Sequence, residues 1–311
     1  MTTSALKRYD ITQTPFYKLQ SKKKLAELLN LPSVAVLNSL TRLEAPYRKF
    51  EVPNKNKSKQ RLVQMPSNEL YPIHARIFKL LKRIELPDYL HSGVQGRSFI
   101  TNAKAHLGQK TTYALDIKSF YPSVTKPKVF NLFRDVLKCS DDVAGILAEI
   151  TTCDGYIPTG SSLSQLLAYL SCKKMFDELH LVCRAEGAVM TCYVDDLTFS
   201  GEKVSRSWIY TTVKPIISKF GFKSHKDKFF KTGQPKEITG VIVDGHSVKV
   251  CHRHHQAIRD LMLAIPETED PAEINKVYEK LIGRLSSIAQ INPSFKSRKT
   301  AALQEYKSIR N

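Results

Sequence analysis

Tyr193-Val194-Asp195-Asp196-Leu197-Thr198-Phe199-Ser200 is the stretch on which the reading of this chain turns. Two adjacent carboxylates sit between runs of β-favouring residues, 188–194 and 197–200, so the segment reads as a hairpin. Aspartate suits turns, and the dipeptide alone fits an ordinary one. Like charges this close repel, however, and no lysine or arginine lies in the stretch to offset them. A third carboxylate ends a second strand-like run, Tyr113-Ala114-Leu115-Asp116-Ile117-Lys118. If the two strands are neighbours, Asp116, Asp195 and Asp196 converge. Such a set can hold two divalent ions about 3.5–4 Å apart, and its hard oxygen donors favour Mg²⁺, with Mn²⁺ as a substitute, over zinc.

The charge around this acidic centre is strongly positive. The 311 residues carry 48 Lys and Arg against 29 Asp and Glu, a net +19. Residues 1–110 hold 20 basic and 7 acidic side chains, residues 111–251 hold 18 and 15, and residues 252–311 hold 10 and 7. The surplus is therefore concentrated in the first third, while the carboxylates gather in the middle. A basic body attracts polyanions through its summed field, and a basic clamp beside an acidic centre is what metal-dependent chemistry on a nucleic acid requires. A solvated basic face without a partner is the plainer alternative.

Helical spacing of apolar residues marks 18–30, 33–43 and 69–84, then 126–138, 141–151, 162–182 and 205–219. Strand-like runs occupy 47–52 and 61–65, flanking a basic turn that contains Lys55, Lys57 and Lys59; further runs are 111–117 and a hairpin over 236–243 and 246–251. The tail from 253 is helical and interrupted by Pro266, Pro271 and Pro293. This mixture is an α+β pattern. The six cysteines form no CxxC pair and read as buried free thiols of a reducing compartment. No apolar run reaches the roughly 18 residues of a membrane span, and Asp10, Thr12 and Gln13 stand where a signal peptide needs apolar residues. The expected location is cytoplasmic.

The boxes taken together resemble a known family. Tyr193-Val194-Asp195-Asp196 is similar to the YxDD box of reverse transcriptases, and Asp116-Ile117-Lys118-Ser119-Phe120-Tyr121 to the box that precedes it. Between them, residues 157–165 resemble the PQG-type segment, with Thr159 in place of the usual glutamine, and residues 221–228 resemble the box after the hairpin, with His225 in place of asparagine. Asn102-Ala103-Lys104-Ala105-His106 matches the NAxxH element of retron reverse transcriptases, and Ile238-Thr239-Gly240 stands where that group carries a VTG triplet. The likeness covers residues 45 to 250 or so.

That resemblance implies a right-hand polymerase of fingers, palm and helical thumb, divided as 1–110, 111–245 and 246–311. Asp116, Asp195 and Asp196 become the catalytic and metal-binding carboxylates. Lys59 and Arg61 meet the incoming triphosphate, Tyr121 forms a steric gate against a 2′-OH, Gly160 permits close approach of a ligand or template base, and Lys228 acts near the pyrophosphate. Asn102 and His106 become RNA contacts, with a local cap or a buried polar pair as the alternative. Arg253, Lys296, Arg298 and Lys299 of the thumb face the RNA. Cys251-His252-Arg253-His254-His255 looks like a metal tract, but adjacent side chains diverge and no second ligand cluster lies at zinc spacing; the roles of its three histidines stay open.

The implied partners are a cognate structured non-coding RNA, its DNA product, deoxynucleotides and an effector protein of an antiphage system, without a membrane. The implied reaction starts from an internal 2′-OH and gives a branched RNA–DNA hybrid. An intron-type reverse transcriptase is a weaker match, because of the Asn102–His106 element and the short run after the palm boxes. An RNA-binding scaffold restraining an effector is the non-catalytic alternative.

Overall fold

The structure, a computed structural model, describes residues 8–53, 60–265 and 270–310. Side-chain caps set where many helices begin. The hydroxyls of Ser21, Ser33 and Ser140 each accept from the backbone N–H three residues on, and Ser98 forms a reciprocal capping box with Thr101. Nine strands are present among the described residues: β1 (Tyr47–Pro53), β2 (Gln60–Pro66), β3 (Thr111–Ile117), β4 (Val189–Tyr193), β5 (Asp196–Gly201), β6 (Ser224–Phe230), β7 (Lys236–Ile238), β8 (Val241–Asp244) and β9 (Ser247–Val250). They make sheets of order β1-β2, β4-β5-β3-β6 and β7-β8-β9, so the α+β expectation holds.

Contacts gather the chain into two units of interleaved segments. The first unit is 1–88, 117–181 and 212–225. In it β1 and β2 pair antiparallel, Tyr47 opposite Pro66 and Val52 opposite Arg61. Its core holds wholly buried Phe16, Leu25, Leu37, Ile77, Phe133 and Phe176. His74, 1% exposed, ties the helix Leu70–Leu81 to its neighbours: its Nδ1 lies 2.7 Å from the Ser161 hydroxyl and its Nε2 2.8 Å from the Ile150 carbonyl.

The second unit is 89–116, 182–211 and 226–311. Residues of β3, β4 and β5 form its central antiparallel sheet, with Tyr113, Cys192, Leu197 and Phe199 wholly buried. The helices His252–Ala264, Pro271–Ile288 and Phe295–Arg310 close on Ile258, Leu281, Leu285, Ile288 and Phe295, as the apolar spacing of the tail predicts.

Three elements differ from the sequence expectation. The helix expected over 162–182 is two, Ser164–Ser171 and Lys173–Ala185, split at Cys172, whose φ of −113° and ψ of 9° leave the helical region. The helix expected over 205–219 contains the wide turn Ile209–Val213 just before Pro215, whose missing N–H cannot continue the regular ladder. The run 236–243 is two strands, split at Thr239 (φ +45°) and Gly240 (φ +85°), a pair of left-handed residues of the kind that closes a two-residue hairpin. Strand β6 carries residues 224–228 of the box 221–228, for which the apolar pattern marks no element.

All six cysteines are free and buried. Burial pushes the Cys139 and Cys153 thiols up to about 11 and those of Cys172 and Cys183 up to about 12, so these four are inert thiols in the fold. Among the described residues no helix is long and apolar enough to cross a membrane.

Candidate active site

Strand pairing brings the quoted carboxylates together. Asp116 on β3 stands opposite Asp196 on β5, and Asp196 opposite Tyr193 on β4, so Asp195 lies on the two-residue turn at the end of the sheet. Burial, and then the neighbouring charges of Asp195 and Asp116, push the Asp196 carboxyl up to about 6, despite opposing help from Lys226 and Lys228. The half-buried Tyr193 phenol is raised as well, by desolvation first and by Asp196 second.

The cation that faces this group is Lys226, which the sequence reading missed although it lies inside the box 221–228. Its ammonium is 2.7 Å from Asp116 Oδ2, and this pairing raises the lysine's own pKa. Lys226 has φ +55°, an uncommon conformation inside a strand. Its side chain is 65% exposed against 15% for Asp116, so it can swing away without unpacking a core. Among the described residues no three His, Cys, Asp or Glu side chains are arranged to hold a metal ion as they stand. The donor set nevertheless fits hard divalent ions: three carboxylates whose mutual repulsion calls for positive charge, one of them already turned to an ammonium.

Behind the turn, residues 89–92 run alongside β4. The Cys192 N–H donates to the Tyr89 carbonyl at 2.7 Å, the His91 N–H to the Cys192 carbonyl at 2.9 Å, and the Val194 N–H to the Ser92 hydroxyl at 2.9 Å. Nothing in the sequence marks Ser92; only the packing exposes it.

The two short elements quoted for the retron likeness meet each other. Asn102, on the helix Phe99–Lys104, donates to the Thr239 hydroxyl at 3.4 Å, and that hydroxyl donates to the Phe99 carbonyl at 2.9 Å. Ile100, Ala103, Ile238, Val241 and Val243 form one apolar cluster around this contact. His106 is wholly buried, with Nδ1 2.6 Å from Ser200 Oγ on β5 and Nε2 2.8 Å from Thr191 Oγ1 on β4. Burial drops its pKa to about 3, so the ring is neutral and staples the two strands that carry the catalytic turn. Asn102 is 1% exposed and His106 wholly buried, each held by separate partners, so as placed neither side chain presents a surface to RNA.

Lys59, with Lys55 and Lys57, lies outside the described residues. Arg61 is exposed near the start of β2. Tyr121 is half-buried on the turn Phe120–Ser123, its ring centroid 5.7 Å from that of Phe120. Lys228 is exposed on β6 and acts on Asp196 through charge. Arg253 pairs with Glu237 at 3.0 Å, and its guanidinium lies against Gly240. Lys296 and Arg298 are exposed on the helix Phe295–Arg310, with Arg298 over the Phe295 ring, and Lys299 is half-buried. His255 packs on Phe295, and burial, more than the nearby Arg253 charge, lowers the pKa of His254.

Gly160 has a tighter neighbour than the expected ligand. Its N–H donates to the Gln64 carbonyl at 3.0 Å, and a Cβ there would meet that oxygen at 2.7 Å and the Val63 and Met65 side chains at 2.9 Å. The preceding Thr159 donates to the Leu62 carbonyl at 2.9 Å. The glycine thus lets this segment seat against β2. Gly160→Ala is expected to lower stability by about 1–3 kcal/mol, read as a fall in the thermal midpoint.

No family model matches the chain. Individual proteins do. The Retron Se72 reverse transcriptase of Salmonella heidelberg is 28% identical over 261 residues, 79% of this chain and 68% of that protein. The Retron Ec48 reverse transcriptase of Escherichia coli is 25% identical over 312 residues, 92% of this chain and 75% of that protein. The Retron Mx162 reverse transcriptase of Myxococcus xanthus is 25% identical over 283 residues, 80% of this chain and 58% of that protein. The likeness carried by the boxes around Asp116 and Asp195-Asp196 thus extends over most of the chain, which is similar to retron reverse transcriptases.

Proposed function

We propose that this chain is an RNA-directed DNA polymerase of the retron kind, copying part of a bound structured non-coding RNA into DNA. The observation that carries the reading is the pairing of Asp116 with Asp196 across β3 and β5, with Asp195 on the adjoining turn. Nucleotidyl transfer needs positioning and neutralisation of phosphate charge more than covalent participation by the protein. Asp116, Asp195 and Asp196 would hold two Mg²⁺ ions, with Mn²⁺ as a substitute, and these would supply activation of the attacking oxygen and stabilisation of the leaving group. Lys226 leaves Asp116 when the carboxylates take up that task.

The domains are read as fingers 1–110, palm 111–245 and thumb 246–311 in a right-hand arrangement. Arg61, with Lys59, suits bidentate contact to the triphosphate of a deoxynucleotide. Tyr121 excludes a 2′-OH, Gly160 aids nucleotide placement through its seat on β2, and Lys228 serves the pyrophosphate side. Arg253, Lys296, Arg298 and Lys299 present positive charge to the RNA, whose stems and loops are read by shape. Asn102 holds the β7–β8 turn and His106 the strands that carry the catalytic turn. The strand is primed from an internal 2′-OH of the RNA, giving a branched hybrid, and the enzyme works in the cytoplasm with an effector protein in defence against phage.

The test is the nucleic acid that copurifies from the native host, analysed before and after RNase and debranching treatment. A short DNA joined to RNA is the expected result, and it identifies the template. RNA without DNA would move the reading to a scaffold that restrains an effector; heterogeneous nucleic acid or none would favour a polymerase of the intron type. An effector that copurifies with the complex would support the defence role.

A further inference from the structure

Resting on the polymerase reading, we propose that Ser92 is a positioning residue: its hydroxyl pins the backbone of Val194 and so fixes where the catalytic turn holds Asp195. Val194 has φ +62°, a left-handed conformation that a β-branched residue rarely adopts. It is the first of the two turn residues between Tyr193 and Asp196, the position that glycine usually fills in hairpins of this kind. Strain of that sort persists only where the surroundings over-determine the conformation. The Val194 N–H also lies beyond the last pair of the β4–β5 ladder, so it needs an acceptor from elsewhere. Ser92 supplies it at 2.9 Å.

The placement of Ser92 is built rather than incidental. The bonds from Cys192 to Tyr89 and from His91 to Cys192 set 89–92 in register with β4 and deliver the serine to the turn. Gly93, with φ +67°, then carries the chain away. The segment is held from behind by the Arg97 guanidinium on the Leu90 carbonyl at 2.8 Å and by His91 Nδ1, 2.9 Å from the Thr101 hydroxyl. Ser92 is 5% exposed and lies under the turn, so it acts through Val194 and not on substrate.

Ser92→Ala in the full-length protein tests the role with readouts that a merely structural residue would not move together. Expected are amide exchange at Val194 faster by about 10-fold or more and a thermal midpoint, followed by Trp208 fluorescence, that changes little. Single-turnover extension is expected to fall by about 10- to 100-fold, and the Mg²⁺ concentration for half-maximal rate to rise several-fold. Ser92→Thr, which keeps the hydroxyl, restores the Mg²⁺ dependence. Adding Val194→Gly to Ser92→Ala recovers part of the rate, because glycine holds a positive φ without a pin. Should Ser92→Ala unfold, Ser92→Cys, similar in size but a weak acceptor, carries the same measurements.

Unchanged exchange at Val194 overturns the pin. Faster exchange with unaltered extension and Mg²⁺ dependence overturns the positioning role. Wild-type protein that makes no DNA on any template, even with a protected Val194 amide, removes the polymerase reading and the role with it.

Discussion

Replacing Asp195 and Asp196 together by asparagine is expected to cut DNA synthesis by at least about 10³-fold while leaving RNA binding within about twofold. The two parts of this expectation have separate causes. Asparagine keeps the size of each side chain but removes the negative charge that would hold divalent ions beside the reacting phosphates. The basic side chains on β2, β6 and the helix Phe295–Arg310 are untouched, and these dominate attraction to a polyanion. Stability is expected to hold or rise by about 1 kcal/mol, because Asp116, Asp195 and Asp196 repel one another across the β3–β5 pair. Primer extension, a filter-binding titration and thermal unfolding of the double variant check the three statements. Full extension by that variant would sink the assignment of these carboxylates.

His106→Ala is expected to destabilise the second unit by about 3–5 kcal/mol. The substitution empties a wholly buried site and strands the hydroxyls of Thr191 and Ser200, which have the imidazole as their partner. Trp208, the single tryptophan of the chain, lies edge-on to Phe199 of β5 with ring centroids 6.2 Å apart, so its fluorescence in a urea titration reports the unfolding of this sheet. The same histidine gives the protein an acid limb. Its folded pKa of about 3 lies below the unfolded value of 6.5, so its contribution is complete above pH 6.5 and is lost as pH falls toward 3. At pH 4.5 that loss amounts to about 2–3 kcal/mol, and His106→Gln, which cannot take up a proton, is expected to show a flatter limb between pH 7 and 4.5. His74, lowered to about 4 by burial, acts in the same direction in the first unit.

Some of this protein was readable from residue types and short spacings. The alternation around Asp195-Asp196 and around Asp116 marks strands, and the observed register pairs them. The apolar stripe of the tail does become the buried face of its helices, and the lack of any paired cysteine spacing does mean free thiols. These features depend on neighbours within a few residues, where backbone geometry fixes which side chains share a face.

Other features depend on partners far along the chain. Spacing puts Asn102 and His106 on one side of a turn but cannot say that this side is the inner one. That follows from His106 bonding to residues 94 and 85 positions away and Asn102 to one 137 positions away. Glycine at 160 signals close approach; that the approaching group is β2 emerges only from packing. The Asp116–Lys226 pair and the pin from Ser92 to Val194 join residues 110 and 102 apart. Residue types and their spacing establish the chemistry available, namely three carboxylates at strand ends and a turn in a basic chain. Tertiary packing alone decided what holds them, because burial and long-range hydrogen bonds, not local preference, choose the partner of each polar group.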